Sequence, residues 1–258
     1  MAGKPRIAVH KFASCDGCQL AFLNLGETLL ELSTLVDIAH FAEAGAVDPE
    51  ARVDIALVEG SITMPEDVER IQRVRANSRK LVTIGACATA GGLQSLRNLA
   101  DGQGWLAAVY ARPDYIAALA TSTPIRAHVP VDFELWGCPV SGRQVLAALR
   151  ALLNGVTPLD DSEKVCMECK RNQTVCTLVT KGVPCLGPVT RTGCGAICPR
   201  FGRDCYACYG PAENINAPAL RRRLSGLGLM PDAIDRRFLS FNAAAPAFLA
   251  AARKDEHD

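Results

Sequence analysis

The sequence predicts an α/β protein: a flavodoxin-like, doubly wound parallel sheet followed by a smaller, irregular, cysteine-rich unit. Three observations carry that prediction. Five short apolar runs alternate with helix-like patterns over residues 6–153, and strands joined through helices form a parallel sheet with both faces covered. The rhythm stops after Asn154-Gly-Val-Thr-Pro158. Residues 160–212 are then rich in Cys, Gly and Pro and carry little periodicity. Two domains are expected, 1–157 and 158–258.

Each element has its own warrant. Arg6 to Phe12, with Ile7-Ala-Val9 at its centre, reads as strand one. Leu20, Leu23, Leu29, Leu30 and Leu32, with Asn24, Glu27 and Glu31 polar, predict one helix over 20–32. Leu35 to Phe41 and Val53 to Val58 read as strands two and three. A helix starts at Met64-Pro65-Glu-Asp and runs to about Ser78: proline fits a first turn, and acids suit its dipole. Lys80 to Gly85 and Asp132 to Trp136 are strands four and five. A short helix is expected around Asp114 to Ala120, and Ser141 caps another to about Leu153. Past Pro211, helices are expected over Asn216–Leu227 and Pro231–Phe238, then an alanine-rich apolar tail over Asn242–Arg253.

Composition excludes several classes. With 49% hydrophobic residues, a net charge of +1 and a mean hydropathy of +0.11, the chain folds around a core and lacks the basic excess of a nucleic-acid binder. No apolar run is long enough to span a membrane. The start, Met-Ala-Gly-Lys-Pro-Arg, shows neither a signal core nor a twin-arginine leader, so a cytoplasmic protein is expected. In a reducing compartment twelve cysteines are poorly explained by disulfides, and metal ligation is the better reading.

The cysteines fall into two patterns. Cys15 and Cys18 follow strand one, Cys87 follows strand four and Cys138 follows strand five. In a parallel sheet these positions share the carboxyl edge, where such folds bind ligands, so four scattered thiolates can meet at one cluster. A thioredoxin-like pair at Cys15-Asp-Gly-Cys18 leaves Cys87 and Cys138 unexplained. Gly85-Ala-Cys87-Ala-Thr-Ala-Gly-Gly92 reads as a loop. Glu59, ending strand three, reads as a capping or solvated acid, and its place at this edge makes it a candidate for hydrogen bonding or proton transfer. The other eight cysteines, 166, 169, 176, 185, 194, 198, 205 and 208, lie within one stretch. Structural zinc and 4Fe–4S clusters both take four thiolates. Cys198-Pro199 and the glycine-rich flanks favour iron–sulfur, since exposed backbone N–H groups can bond to cluster sulfurs. None of His10, His40, His128 and His257 is placed as a ligand.

Together the motifs Cys15-Asp-Gly-Cys18, Val58-Glu-Gly-Ser61, Gly85-Ala-Cys87-Ala, Trp136-Gly-Cys138-Pro139, Cys185-Leu-Gly-Pro-Val-Thr190 and Cys205-Tyr-Ala-Cys208-Tyr-Gly carry a family resemblance. The chain resembles, over nearly its whole length, the small electron-transfer subunit of nickel–iron hydrogenases. The resemblance implies three 4Fe–4S clusters. The proximal one would use Cys15, Cys18, Cys87 and Cys138, in domain 1–157, facing a nickel–iron centre in a separate large subunit. In domain 158–258 the distal cluster would use Cys166, Cys169, Cys176 and Cys185, and the medial one Cys194, Cys198, Cys205 and Cys208; these two sets could exchange a ligand. Periplasmic and membrane-bound members begin the distal site with histidine, and some have proline and three cysteines at the medial site; Cys166 and Cys198 depart from both patterns. The resemblance therefore points to the cytosolic sulfhydrogenase or bidirectional NAD(P)-linked type, with diaphorase subunits as partners and no catalysis by this chain alone. The alternatives are an electron-transfer subunit of a related quinone-reducing complex, which resembles only the first half, and a zinc-stapled structural protein.

Overall fold

The computed structural model describes residues 3–252. The chain divides into two compact units, with the boundary between Pro158 and Leu159.

The first unit is built on five parallel strands: β1 (Arg6–Lys11), β2 (Asp37–Phe41), β3 (Val53–Glu59), β4 (Ser78–Ile84) and β5 (Phe133–Leu135). Their order is β2-β1-β3-β4-β5, the flavodoxin arrangement that the five apolar runs predict. Alternation along each strand sends side chains to opposite faces. Ile7, Val9, Ile55, Leu57, Val82 and Ile84 enter one core, and Ala8, Ala56, Val58 and Leu81 enter the other.

Helices α1 (Gly17–Leu23) and α2 (Glu27–Leu35) replace the single helix expected over 20–32. The break is at Gly26, whose φ of +57 leaves the right-handed helical region. Helix α3 (Pro65–Ala76) starts on proline, and Asp67 Oδ2 accepts the Met64 N–H at 3.3 Å. Helix α4 (Gly85–Ala90) occupies the stretch read as a loop, because the chain leaves β4 directly into a short turn of small residues. The expected helix around 114–120 is absent. Pro113–Tyr115 is one 3-10 turn, and the Leu119 N–H is instead taken by the Thr63 carbonyl at 2.9 Å. The helix of this region is α5 (Gly102–Val109), capped by Asp101, which accepts the Gly104 N–H at 2.9 Å. Helix α6 (Gly142–Leu153) begins after Ser141, whose N–H donates to Gln144 Oε1 at 3.3 Å.

The second unit holds short helices α7 (Val165–Arg171), α8 (Thr177–Thr180) and α9 (Ile197–Arg200) in its cysteine-rich part. Helices α10 (Ala217–Ser225), α11 (Pro231–Leu239) and α12 (Pro246–Ala252) follow. The last accounts for the apolar tail up to Ala252; Arg253 and His257 lie outside the described residues. Phe238 and Phe248 pack edge to face at 5.7 Å between α11 and α12. One of its cores is lined by thiols: Val165, Cys185, Ala196 and Cys205 are buried together, with Cys169, Leu178 and Cys194 against them. Among the described residues no helix is long and apolar enough to cross a membrane.

Candidate metal centres

Because every strand runs the same way, the loops after β1, β4 and β5 leave from one edge. Those loops bring Cys15, Cys18, Cys87 and Cys138 together: Cys87 stands within the electrostatic reach of Cys138 and Cys15, and Cys18 within that of Cys87 and Cys138. Burial first, and then neighbouring negative charge, pushes the Cys87 thiol up to about 12 and the buried Cys18 thiol higher still. Gathered thiolates of this kind need a positive centre among them.

The backbone beside these thiols admits no larger side chain. A Cβ on Gly85 would stand 2.2 Å from Cys18 Sγ, and one on Gly92 would stand 2.5 Å from Cys87 Sγ. Both glycines also have positive φ, +86 and +60. Cys18 Sγ accepts the Val140 N–H at 3.5 Å. Gln94 lies against Cys87 and donates through Nε2 to the Ala13 carbonyl at 2.9 Å. Val140 and Gln94 have no motif of their own, and the sequence reading missed both.

Glu59 is 1% exposed, so it is a capping acid rather than a solvated one. Asp16, at the start of α1, has a left-handed φ of +65 and its side chain does not cap the helix. The carboxylate of Glu59 does so from β3, accepting the N–H of Cys18 and of Gln19, each at 3.1 Å. Burial raises its pKa against the opposing pull of those bonds. Asp16 turns outward and accepts from Lys11 Nζ at 2.7 Å.

In the second unit Cys169 has Cys166, Cys185 and Cys176 as electrostatic neighbours, and burial first pushes its thiol to about 11. Cys194 neighbours Cys198, and Cys205 neighbours Cys208. Cys185 neighbours both Cys198 and Cys205 as well, and its Sγ accepts the Cys205 N–H at 3.3 Å. It therefore stands where the two sets of four adjoin. Ala196 and Ala207 take left-handed φ values of +53 and +60 inside these loops, and the Ala207 N–H reaches Cys205 Sγ at 3.5 Å. Glu168, also missed in the sequence, lies between Cys166 and Cys169 and accepts backbone N–H groups of the Cys194 loop. Its only sequence signal is an acid inside a C-x-x-C pair.

The donor sets fit iron–sulfur clusters in kind: thiols only, all but Cys15 and Cys176 buried or half-buried, with backbone N–H groups aimed at sulfur. Among the described residues no three His, Cys, Asp or Glu side chains stand close enough to chelate one ion. A polynuclear cluster is the group that such thiolate sets would hold. Among the described residues the histidines do not join in. His10 and His40 stack at 4.7 Å, and His128 Nε2 pairs with Thr123 Oγ1 at 2.7 Å.

The profile of the family described as NADH ubiquinone oxidoreductase, 20 Kd subunit, matches residues 15–152. Sulfhydrogenase 2 subunit delta of Pyrococcus furiosus is 34% identical over 236 residues, 92% of this chain and 98% of that one. The NAD-reducing hydrogenase HoxS subunit delta of Cupriavidus necator is 30% identical over 59% of this chain and 80% of its own length. A crystal structure of a NAD+-reducing nickel–iron hydrogenase in its H2-reduced state matches with a TM-score of 0.56 and 31% identity, over 61% of this chain and 96% of that chain. An actinobacterial-type nickel–iron hydrogenase from Ralstonia eutropha H16 shares the fold over 99% of this chain and 88% of that one, with a TM-score of 0.55 and 17% identity. The profile matches more than half of the chain, and a sulfhydrogenase subunit matches nearly all of it. The chain belongs to the NADH ubiquinone oxidoreductase 20 Kd subunit family and, within it, to the small subunits of nickel–iron hydrogenases.

Proposed function

We propose that this chain relays electrons between the nickel–iron site of a separate large subunit and a diaphorase or similar redox partner, through three 4Fe–4S clusters. The observation that carries the reading is the gathering of its twelve cysteines into neighbouring groups, four at the sheet edge and eight in the second unit. Cys15, Cys18, Cys87 and Cys138 would hold the proximal cluster. Cys166, Cys169, Cys176 and Cys185 would hold the distal one, and Cys194, Cys198, Cys205 and Cys208 the medial one. Cys185 is the ligand through which those two sets could exchange. Bound clusters supply one-electron storage, at potentials that ligation, burial and hydrogen bonds set.

The chain's own residues do the rest. The thiols, held up in pKa by burial and mutual repulsion, release their protons when the metal arrives. The N–H groups of Val140, Cys205 and Ala207 stabilise charge on sulfur, which favours the reduced state. Glu59 fixes the turn that carries Cys18. The diaphorase partner is supported by the NAD-reducing relatives.

Iron and acid-labile sulfide assays on the purified protein test the reading. About twelve irons per chain are expected, with a visible band near 400 nm that bleaches on reduction. About four irons or fewer, or stoichiometric zinc, overturns the three-cluster assignment.

A further inference from the structure

Glu168 leaves α7 between two proposed ligands of one cluster and ends among the backbone of a loop that carries the ligands of another. Its Oε1 accepts the N–H of Gly193 at 3.0 Å and of Gly195 at 3.2 Å. Its Oε2 accepts the N–H of Ala196 at 3.0 Å and lies 3.9 Å from Cys194 Sγ. The loop is shaped to offer those groups: Gly193, Gly195 and Ala196 have φ of +123, +70 and +53. Successive N–H groups in such a conformation form a concave anion site. Here a carboxylate of the same chain fills it. Ala196 is fully buried, although left-handed backbone is costly for alanine. The bonds to Glu168 help hold the residue there.

We propose that Glu168 is a positioning residue that ties the two cysteine sets of the second unit together and sets the potential of the cluster that includes Cys194. The proposal rests on the iron–sulfur reading given above. Two effects follow from one side chain. Its hydrogen bonds present Cys194 and Cys198 from a fixed loop. Its negative charge, beside Cys194 Sγ, disfavours adding an electron to that cluster and so holds its potential down. The second effect is what a purely structural residue would not have.

The test uses the assembled hydrogenase complex, with potentiometric EPR titration of wild type, Glu168→Gln and Glu168→Ala. Glu168→Gln keeps the shape and an acceptor oxygen and removes the charge. The signal of the cluster that includes Cys194 is expected to move furthest to higher potential, with a smaller shift at the cluster that includes Cys169, whose thiol also feels the Glu168 charge. Glu168→Ala is expected to lose about four irons per complex, or to show the same upward shift. Amide exchange by mass spectrometry, read on peptides spanning Gly193–Ala196, is expected to quicken in both variants, most in Glu168→Ala. Unmoved potentials in Glu168→Gln at full iron content overturn the electrostatic role, and unchanged exchange in Glu168→Ala overturns the positioning role. If wild type itself holds too little iron for three clusters, the cluster reading has failed, and the exchange measurement still decides whether Glu168 holds the loop.

Discussion

Gly85 and Gly92 stand where any larger side chain would collide with a thiol, which separates backbone strain from obstruction of a cluster. Gly85→Ala is expected to lower iron content by about four per chain, because its Cβ would lie 2.2 Å from Cys18 Sγ. Gly45→Ala is the control. Gly45 also has φ of +86 but nothing within 4 Å of its Cβ, so it should cost about 1 kcal/mol in thermal unfolding and no iron. His10 gives a second residue-scale expectation. Burial, then His40 and Arg70, lowers its pKa to about 3 in the fold. Between that value and the ordinary histidine range only the unfolded chain takes up the proton. Folding stability should therefore fall as pH falls through that window, by up to about 1.4 kcal/mol per pH unit, and His10→Gln should flatten the slope in denaturant titrations. At this scale the sequence was partly legible. The cysteines were legible, most by spacing, and Cys87 and Cys138 by their place after predicted strands. Gln94, Val140 and Glu168 did not, because each acts through an approach made only in three dimensions.

Helix α11 carries Arg237 to the loops of the second unit, where it donates to the Pro184 carbonyl at 3.0 Å and to Asp204 Oδ2 at 2.7 Å. Pro184 and Asp204 each adjoin a cysteine, Cys185 and Cys205. Arg237→Ala is expected to cost about 1–3 kcal/mol in thermal unfolding of this unit. The strands were the most readable elements, since buried parallel strands carry continuous apolar runs such as Ile55 to Val58. Helices were harder where glycine decides. Gly26 splits α1 from α2, a break that leucine spacing across it conceals. Around residues 102–120 the competition was between patterns. Asp101 caps a helix whose first turn holds the weak helix formers Gly102 and Gly104, while the Leu119 N–H that a later helix needs is claimed by Thr63.

For the whole molecule, the proposed order of clusters predicts unequal effects of breaking its ends. Cys15→Ser is expected to uncouple hydrogen-dependent dye reduction more severely than Cys166→Ser, because the proximal set comes first in the relay. Equal rates in two fully assembled variants would contradict that order. The overall architecture was legible because a parallel sheet forces scattered loop residues to one edge, whatever their distance in sequence. The second unit was less so, since its loops follow thiols and glycines rather than a hydrophobic period. Each unit also leaves one thiol at the surface: Cys15 and Cys176 are the exposed cysteines, while Cys18, Cys185 and Cys205 are buried. On the proposed ligation, solvent and oxidants reach the proximal and distal clusters first at one corner each. Air should then strip a single iron before the whole cluster, leaving a three-iron remnant that EPR distinguishes. A large subunit seated over the proximal set would shield Cys15, so the free chain should weather there faster than the assembled enzyme.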